Sequence, residues 1–310
     1  MNRRNFLSKS VLAASATTLG STAAFATETS SIKNSVAPKY KMLYAPHFGM
    51  FENSAGKDLF DQLKFMAENG FMGLEDNGML KRTPEIQSKI GETMAKLGMK
   101  MGVFVVDGGD NWKTSLATGK KEFLENFLKT CRDSVETAKR CNAKFMTVVP
   151  GYFERNLPLG IQTGNVIDAL RRASDIFEPH NLTMVLEPLS DNPDLFLRFS
   201  DQTYMICKAV NSPSCKILFD MWHMQRNEGR MTQHMDWCWE EIAYFQIGDE
   251  PGRKEPTTGE INYKALFKHI YEKSKVKNQE FIMGMEHGNF AKGKEGETKL
   301  IEAYQWSDNF

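Results

Sequence analysis

Four polar residues close four successive apolar runs in the second half of the chain. Met184-Val185-Leu186 leads into Glu187, and Ile217-Leu218-Phe219 into Asp220. Ile242-Ala243-Tyr244-Phe245 leads into Gln246, and Phe281-Ile282-Met283-Gly284-Met285 into Glu286. Singly, a polar residue after an apolar run is commonly the first loop residue or a helix cap. Four in succession point to one shared site. Three carboxylates brought together repel one another and raise their own pKa values unless a cation lies among them. Three carboxylate oxygens and one amide oxygen make a hard ligand set, which suits Mg²⁺ or Mn²⁺ better than zinc. Such a shell leaves room for two substrate oxygens. His223, three residues past Asp220, is expected on the loop leaving that strand, facing the same opening and binding a substrate oxygen. Arg253, after Asp249-Glu250-Pro251-Gly252, is a candidate clamp for a substrate carboxylate or hydroxyl. His47, Glu75 and Asp107 also follow apolar runs. They are read as structural or substrate-contacting rather than as metal ligands. Trp112 and Trp222 are read as core packing in the first instance, with walls of the opening as the other use.

This chemistry requires strands whose ends meet. Eight runs qualify: 42–45, 71–75, 101–106, 145–149, 184–187, 217–220, 242–246 and 281–286. Between them lie helical patterns. Phe123, Phe127, Cys131, Val135 and Ala138 share one helical face, as do Ile86, Ile90, Met94 and Leu97, and Val166, Leu170, Ala173 and Phe177. Gly70, Gly98 and Asn181 stand where left-handed caps would end helices. Eight strand–helix units over residues 41–310 predict an α/β chain folded as a single-domain (β/α)8 TIM barrel, whose usual size is about 250 residues. The runs are apolar throughout, as parallel strands buried on both faces should be. An open doubly wound sheet would carry a glycine-rich phosphate loop after its first strand; here the first strand meets Pro46-His47-Phe48-Gly49.

Residues 1–26 stand apart. Arg3 and Arg4 precede Asn5-Phe6-Leu7, a mildly apolar Ala/Ser/Thr-rich stretch follows, and Ala24-Phe25-Ala26 fits a cleavage site. This resembles a twin-arginine export signal, with an ordinary secretory signal as the alternative. A periplasmic location and no membrane span after processing are expected. Residues 27–40 read as a linker. The full chain has 39 basic and 39 acidic residues, and the leader carries three of the basic ones and no acid, so the processed chain has net charge −3. That excludes nucleic acid as a main partner. The five cysteines are odd in number and contain no C-x-x-C pair, so neither a zinc ribbon nor a dense disulfide framework is indicated.

These residues resemble the xylose isomerase-like TIM barrel superfamily over most of residues 41–290. Within it they are similar to hydroxypyruvate isomerases. Phe219-Asp220-Met221-Trp222-His223 looks like the Asp-x-aromatic-His motif, and Phe245-Gln246-Ile247 like the strand-seven motif, with Gln where epimerases carry His. Pro251-Gly252-Arg253, Glu255-Pro256 and Gly259-Glu260-Ile261-Asn262-Tyr263 resemble the most distinctive stretch. The resemblance implies that Glu187, Asp220, Gln246 and Glu286 bind a divalent metal. It also implies that Glu187 and Glu286 form the acid–base pair and that His223 and Arg253 contact substrate. The implied reaction is metal-dependent aldose–ketose isomerisation through an enediolate, with hydroxypyruvate giving tartronate semialdehyde. Two departures bear on the substrate: His287-Gly288-Asn289 stands where those enzymes tend to carry Tyr-Lys-Pro, and they usually lack an export signal. The rivals are an exported sugar epimerase, isomerase or keto-sugar dehydratase on the same barrel, and a sugar-binding protein without turnover. An endonuclease would need several more histidines at strand ends. The partner is a small molecule, hydroxypyruvate or a small sugar; nothing in the sequence gives an oligomeric state.

Overall fold

The computed structural model describes residues 40–110, 112–113 and 115–310. The leader and residues 27–39 of the linker lie outside the described residues. Tyr40, assigned from composition to the linker, is buried against Phe71 and Tyr44, with ring centroids 5.1 and 5.3 Å away. It belongs to the folded domain.

All eight expected strands form. They are β1 (Leu43–Ala45), β2 (Gly73–Leu74), β3 (Lys100–Val105), β4 (Ala143–Val148), β5 (Thr183–Leu186), β6 (Cys215–Asp220), β7 (Ile242–Gln246) and β8 (Ile282–Gly284). Every pairing is parallel, and the order is β1-β8-β7-β6-β5-β4-β3-β2. The remaining seam between β1 and β2 is joined at its upper end. There Glu75 N donates to Pro46 O at 2.9 Å, beside a parallel bridge between His47 and Glu75. The sheet is therefore a nearly closed barrel, not an open one.

Among the described residues ten helices connect or flank the strands: α1 (Glu52–Ala55), α2 (Leu59–Glu68), α3 (Pro84–Leu97), α4 (Lys121–Cys141), α5 (Leu159–Phe177), α6 (Ser200–Val210), α7 (Met221–Asn227), α8 (Met231–Cys238), α9 (Tyr263–Lys277) and α10 (Gly293–Asp308). Their boundaries follow local chemistry. Thr83 caps α3 through Ile86 N, with Pro84 in its first turn, and left-handed Gly98 ends it. Val166, Leu170, Ala173 and Phe177 of α5 are fully or almost fully buried, as their shared face required. Among the described residues no helix is long and apolar enough to cross a membrane.

The strands are apolar on two faces for two reasons. Tyr44, Phe104, Met146, Met184, Phe219, Phe245 and Met283 belong to the large core cluster shared with the helices. Ala45, Val103, Val185, Leu218, Tyr244 and Ile282 form a separate small cluster inside the barrel. Each full burial of a large apolar side chain contributes about 1.5–3 kcal/mol. Side chains alternate along a strand. Two residues on from Val185, Leu218 and Tyr244 come Glu187, Asp220 and Gln246, and four on from Ile282 comes Glu286. The pleat that fills the barrel thus delivers these groups to its mouth, at the C-terminal ends of the strands.

Candidate active site

Asp220 has two jobs. Its Oδ1 accepts from Trp222 N at 2.7 Å and His223 N at 3.3 Å, capping α7. This is why His223 lies in the first turn of a helix rather than on the expected loop: the strand's last carboxylate starts the helix at once. Its Oδ2 faces the mouth. Burial pushes this carboxyl up, but His223, Arg253 and the two backbone donors outweigh burial and hold it below the usual range.

His223 is fully buried, and its neighbours set its tautomer. Nδ1 accepts from Ser190 N at 3.0 Å and lies 2.8 Å from Ser190 Oγ. A backbone N–H can only donate, so the shorter Nδ1 contacts assign the lone pair to Nδ1 and the hydrogen to Nε2, and Arg253 Nη2, 3.3 Å from Nε2, is then a close approach of two donors rather than a hydrogen bond. Burial lowers the pKa of this ring against the pull of Asp220. Nε2 lies 3.5 Å from Glu187 Oε1 and 3.7 Å from both Asp191 Oδ2 and Asp220 Oδ2. Atoms of Glu187, Asp220 and His223 fall within 4.8 Å of one another, close enough to share an ion. The tautomer makes His223 a hydrogen-bond donor in that group and leaves the oxygens as the ligands.

Gln246 sits opposite Asp220 in the β6–β7 register. Its Nε2 donates to Glu75 Oε1 at 2.8 Å, while Tyr244 OH donates to Glu75 Oε2 at 3.0 Å. Gln246 Oε1 is buried and has no partner among the described residues. A buried carbonyl oxygen without a donor is costly, and a divalent cation would satisfy it. Glycine at position 284 makes the arrangement possible, since a Cβ there would stand 1.8 Å from Glu75 Oε2.

Glu286, with its side chain 24% exposed, reaches the mouth from beyond β8. Asn77 Nδ2 donates to its Oε1 at 3.0 Å, and Arg253 Nη2 to its Oε2 at 2.8 Å. The same Arg253 nitrogen donates to Asp220 Oδ2 at 3.0 Å. Arg253 therefore ties the two carboxylates together, and its guanidinium lies 4.4 Å over the Trp222 ring. Trp222 is thus a wall for the arginine as well as core. Burial pushes the Glu286 carboxyl up to about 7 despite Arg253, with Asp220 adding to the rise. Burial raises Glu187 well above its ordinary value, helped by Glu286 and Asp220, and raises Glu75 in the same way with Glu286 adding. Glu286 is thereby poised to hold or release a proton near neutrality, as proton transfer requires.

The distinctive loop after β7 is built around one carboxylate. Asp249 Oδ2 accepts from Gly259 N at 2.8 Å and Oδ1 from Ile261 N at 3.0 Å. Tyr263 OH accepts from Gly248 N at 3.0 Å and donates to Gly248 O at 2.6 Å. Glu255 Oε2 accepts from Phe290 N at 2.8 Å, which fastens this loop to the one after β8. The motif's acids, glycine and tyrosine thus hold the frame from which Arg253 projects.

Arg253 and Glu286 divide the mouth into two lobes. The larger, about 500 Å³, is lined by His47, Phe48, Glu75, Asn77, Arg82 and His287 among others. The smaller, about 310 Å³, is lined by Trp112, Thr147, Glu187, Asp191 and His223 among others. Of the six sequence-selected residues, Glu187, His223, Arg253 and Glu286 line these lobes, Asp220 joins them through Arg253, and Gln246 is bonded to Glu75, which lines the larger lobe. His47 is structural, with its ring nitrogens beside Phe48 O and His287 O. Asp107 pairs with Lys81. Asn77, Arg82, Asp191 and Asp249 were not selected, because each sits in a polar loop without an apolar run to flag it. All five cysteines are buried and free.

Residues 63–310 match the family described as xylose isomerase-like TIM barrel. Over 107 residues the chain is 36% identical to hydroxypyruvate isomerase of Escherichia coli, covering 34% of this chain and 42% of that enzyme. The alignment thus spans less than half of that relative. Over 216 residues it is 25% identical to 2-oxo-tetronate isomerase of Pectobacterium atrosepticum, covering 68% of this chain and 80% of that protein. The solved structure of E. coli 3-keto-D-glucoside 4-epimerase shares the fold with a TM-score of 0.69 at 18% identity, over 86% of this chain and 98% of that one.

Proposed function

The chain belongs to the xylose isomerase-like TIM barrel family, and from that premise we propose that it is a metal-dependent isomerase of small hydroxy-keto acids. The first substrate to consider is hydroxypyruvate, giving tartronate semialdehyde. The observation that supports the reading is the cluster of Glu187, Asp220 and His223, tied to Glu286 through Arg253, with the buried Gln246 oxygen nearby on β7 lacking a donor. Relatives named hydroxypyruvate isomerase and 2-oxo-tetronate isomerase support the reaction class.

In the proposed reaction a proton leaves C3 of hydroxypyruvate and returns to C2, while the C3 hydroxyl proton passes to the C2 oxygen. Glu187 and Glu286 carry these protons, since both keep raised pKa values in a buried setting. Positioned groups of this kind typically contribute about 10²–10⁴-fold. His223 offers its Nε2–H to a substrate oxygen, held in that tautomer by Ser190. A Mg²⁺ or Mn²⁺ ion held by Glu187, Asp220, Gln246 and Glu286 would polarise the carbonyl as a Lewis acid. Arg253 keeps Asp220 and Glu286 together.

The test is NMR of residues 27–310 incubated with hydroxypyruvate, with Mn²⁺ or Mg²⁺ and with EDTA. Tartronate semialdehyde formed only with metal is expected. No product above the EDTA control from hydroxypyruvate, 2-oxo-tetronate or a neutral ketose would refute the reading.

A further inference from the structure

We propose that Arg82, from the loop after β2, is the group that receives the substrate's carboxylate and so selects acidic substrates over neutral ketoses. The proposal deepens the isomerase reading and rests on it for the identity of the reaction.

Among the described residues lining the two lobes, the guanidinium groups are those of Arg253 and Arg82, and no lysine lines either. Arg253 is already committed to Asp220 and Glu286. Arg82 is held differently. Its Nε donates to the buried carboxylate of Asp76, and its Cζ lies 5.1 Å over the Phe48 ring. Asp76 is fixed in turn: its Oδ1 accepts from Gly78 N at 3.2 Å, and its backbone N donates to Val103 O at 3.2 Å. The backbone of Arg82 is also pinned. Buried Gln87 donates through Nε2 to Arg82 O at 2.9 Å and to Met79 O at 3.0 Å.

A guanidinium bonded through Nε and stacked on a ring keeps its two terminal nitrogens for another partner. That pair matches a carboxylate in a two-point contact. Arg82 lines the same 500 Å³ lobe as Glu286. A substrate whose reacting carbons lie between Glu187 and Glu286 therefore extends its acid end toward Arg82, and its hydroxyl end toward Thr147 and Asp191 in the smaller lobe. The buried Thr147 hydroxyl, which has no partner among the described residues, suits that end.

The test compares 2-oxo-tetronate with erythrulose, which differs only in a hydroxymethyl group replacing the carboxylate. Arg82→Gln should raise KM for 2-oxo-tetronate about 10- to 100-fold, the size expected for losing a hydrogen-bonded charge. Its kcat should stay within about threefold, with deuterium exchange into erythrulose unchanged. Arg82→Lys should recover part of the loss. An unchanged KM for the acid, or an equal fall on both compounds, would overturn the proposal. So would a wild type that prefers erythrulose, which would leave the isomerase reading intact. If the wild type turns over hydroxypyruvate but neither of these, the same KM comparison is made on hydroxypyruvate; if it turns over none of the three, the isomerase reading fails and titration calorimetry with glycerate decides: binding lost in Arg82→Gln supports the carboxylate site, while binding indifferent to the variant, or none, overturns it.

Discussion

Gln246 gives its amide nitrogen to Glu75, and its carbonyl oxygen is buried with no partner among the described residues. Glu75 decides this orientation, because a carboxylate only accepts. Glu75→Gln would let the Gln246 amide turn over and present NH2 to the acidic cluster. The expected result, read by Mn²⁺ titration, is metal binding weakened about 10- to 100-fold with an unchanged circular dichroism spectrum. Equal affinity would show that Glu75 has no orienting role. Glu187, Asp220, Gln246 and Glu286 were legible in sequence because each ends an apolar run on the inward side of the pleat. The role of Glu75 was not, since its partner comes from 171 residues away across the barrel.

At the scale of elements, the loop after β7 shows how motif residues hold a frame. A Cβ on Gly259 would lie 1.9 Å from Glu250 O and 2.7 Å from Asp249 Oδ1. Gly259→Ala should destabilise the protein by about 1–3 kcal/mol, lowering the urea midpoint, and should reduce kcat/KM by displacing Arg253. An unchanged midpoint and rate would refute this account of the loop. The segment after β8 carries a pH dependence of its own. His287 is buried, with Nε2 2.7 Å from Tyr304 OH of α10 and Nδ1 3.1 Å from Gly288 O, and burial holds its pKa down at about 3. The unfolded imidazole titrates near 6.5. Stability from this group is therefore complete above about 6.5 and is lost as pH falls toward 3, at about 1.4 kcal/mol per pH unit. His287→Gln keeps an acceptor for Tyr304 and removes the titration. Its stability deficit relative to wild type should shrink by roughly 2 kcal/mol between pH 6.5 and 5; parallel stability curves would contradict this. All eight strands were legible from their apolar runs; β7 has the expected bounds, and the other seven differ by a residue or more at one end or both. The turn that seats Arg82 was not legible, because Gln87 pins it through backbone carbonyls that leave no mark in the residue pattern.

At the scale of the whole molecule, the fold puts the acidic cluster at one end of a barrel whose interior is otherwise filled. The leader lies outside the described residues, and export through a twin-arginine signal is our proposal from Arg3 and Arg4. Free, buried cysteines suit a chain that folds in a reducing compartment before export. Replacing Arg3 and Arg4 with lysine should leave the unprocessed protein inside the cell, as read by fractionation. Normal processing and release would point to the general secretory route.

The central claim is that Glu187 and Glu286 move a substrate proton beside a site built for a divalent cation. The direct measurement is deuterium uptake at C3 of hydroxypyruvate in D₂O, comparing wild-type protein with Glu286→Gln, each with and without Mn²⁺. An amide cannot take the proton, so folded Glu286→Gln should lose about 10²–10⁴-fold in exchange, while wild type exchanges only with metal present. Exchange by folded Glu286→Gln at the wild-type rate would contradict the account.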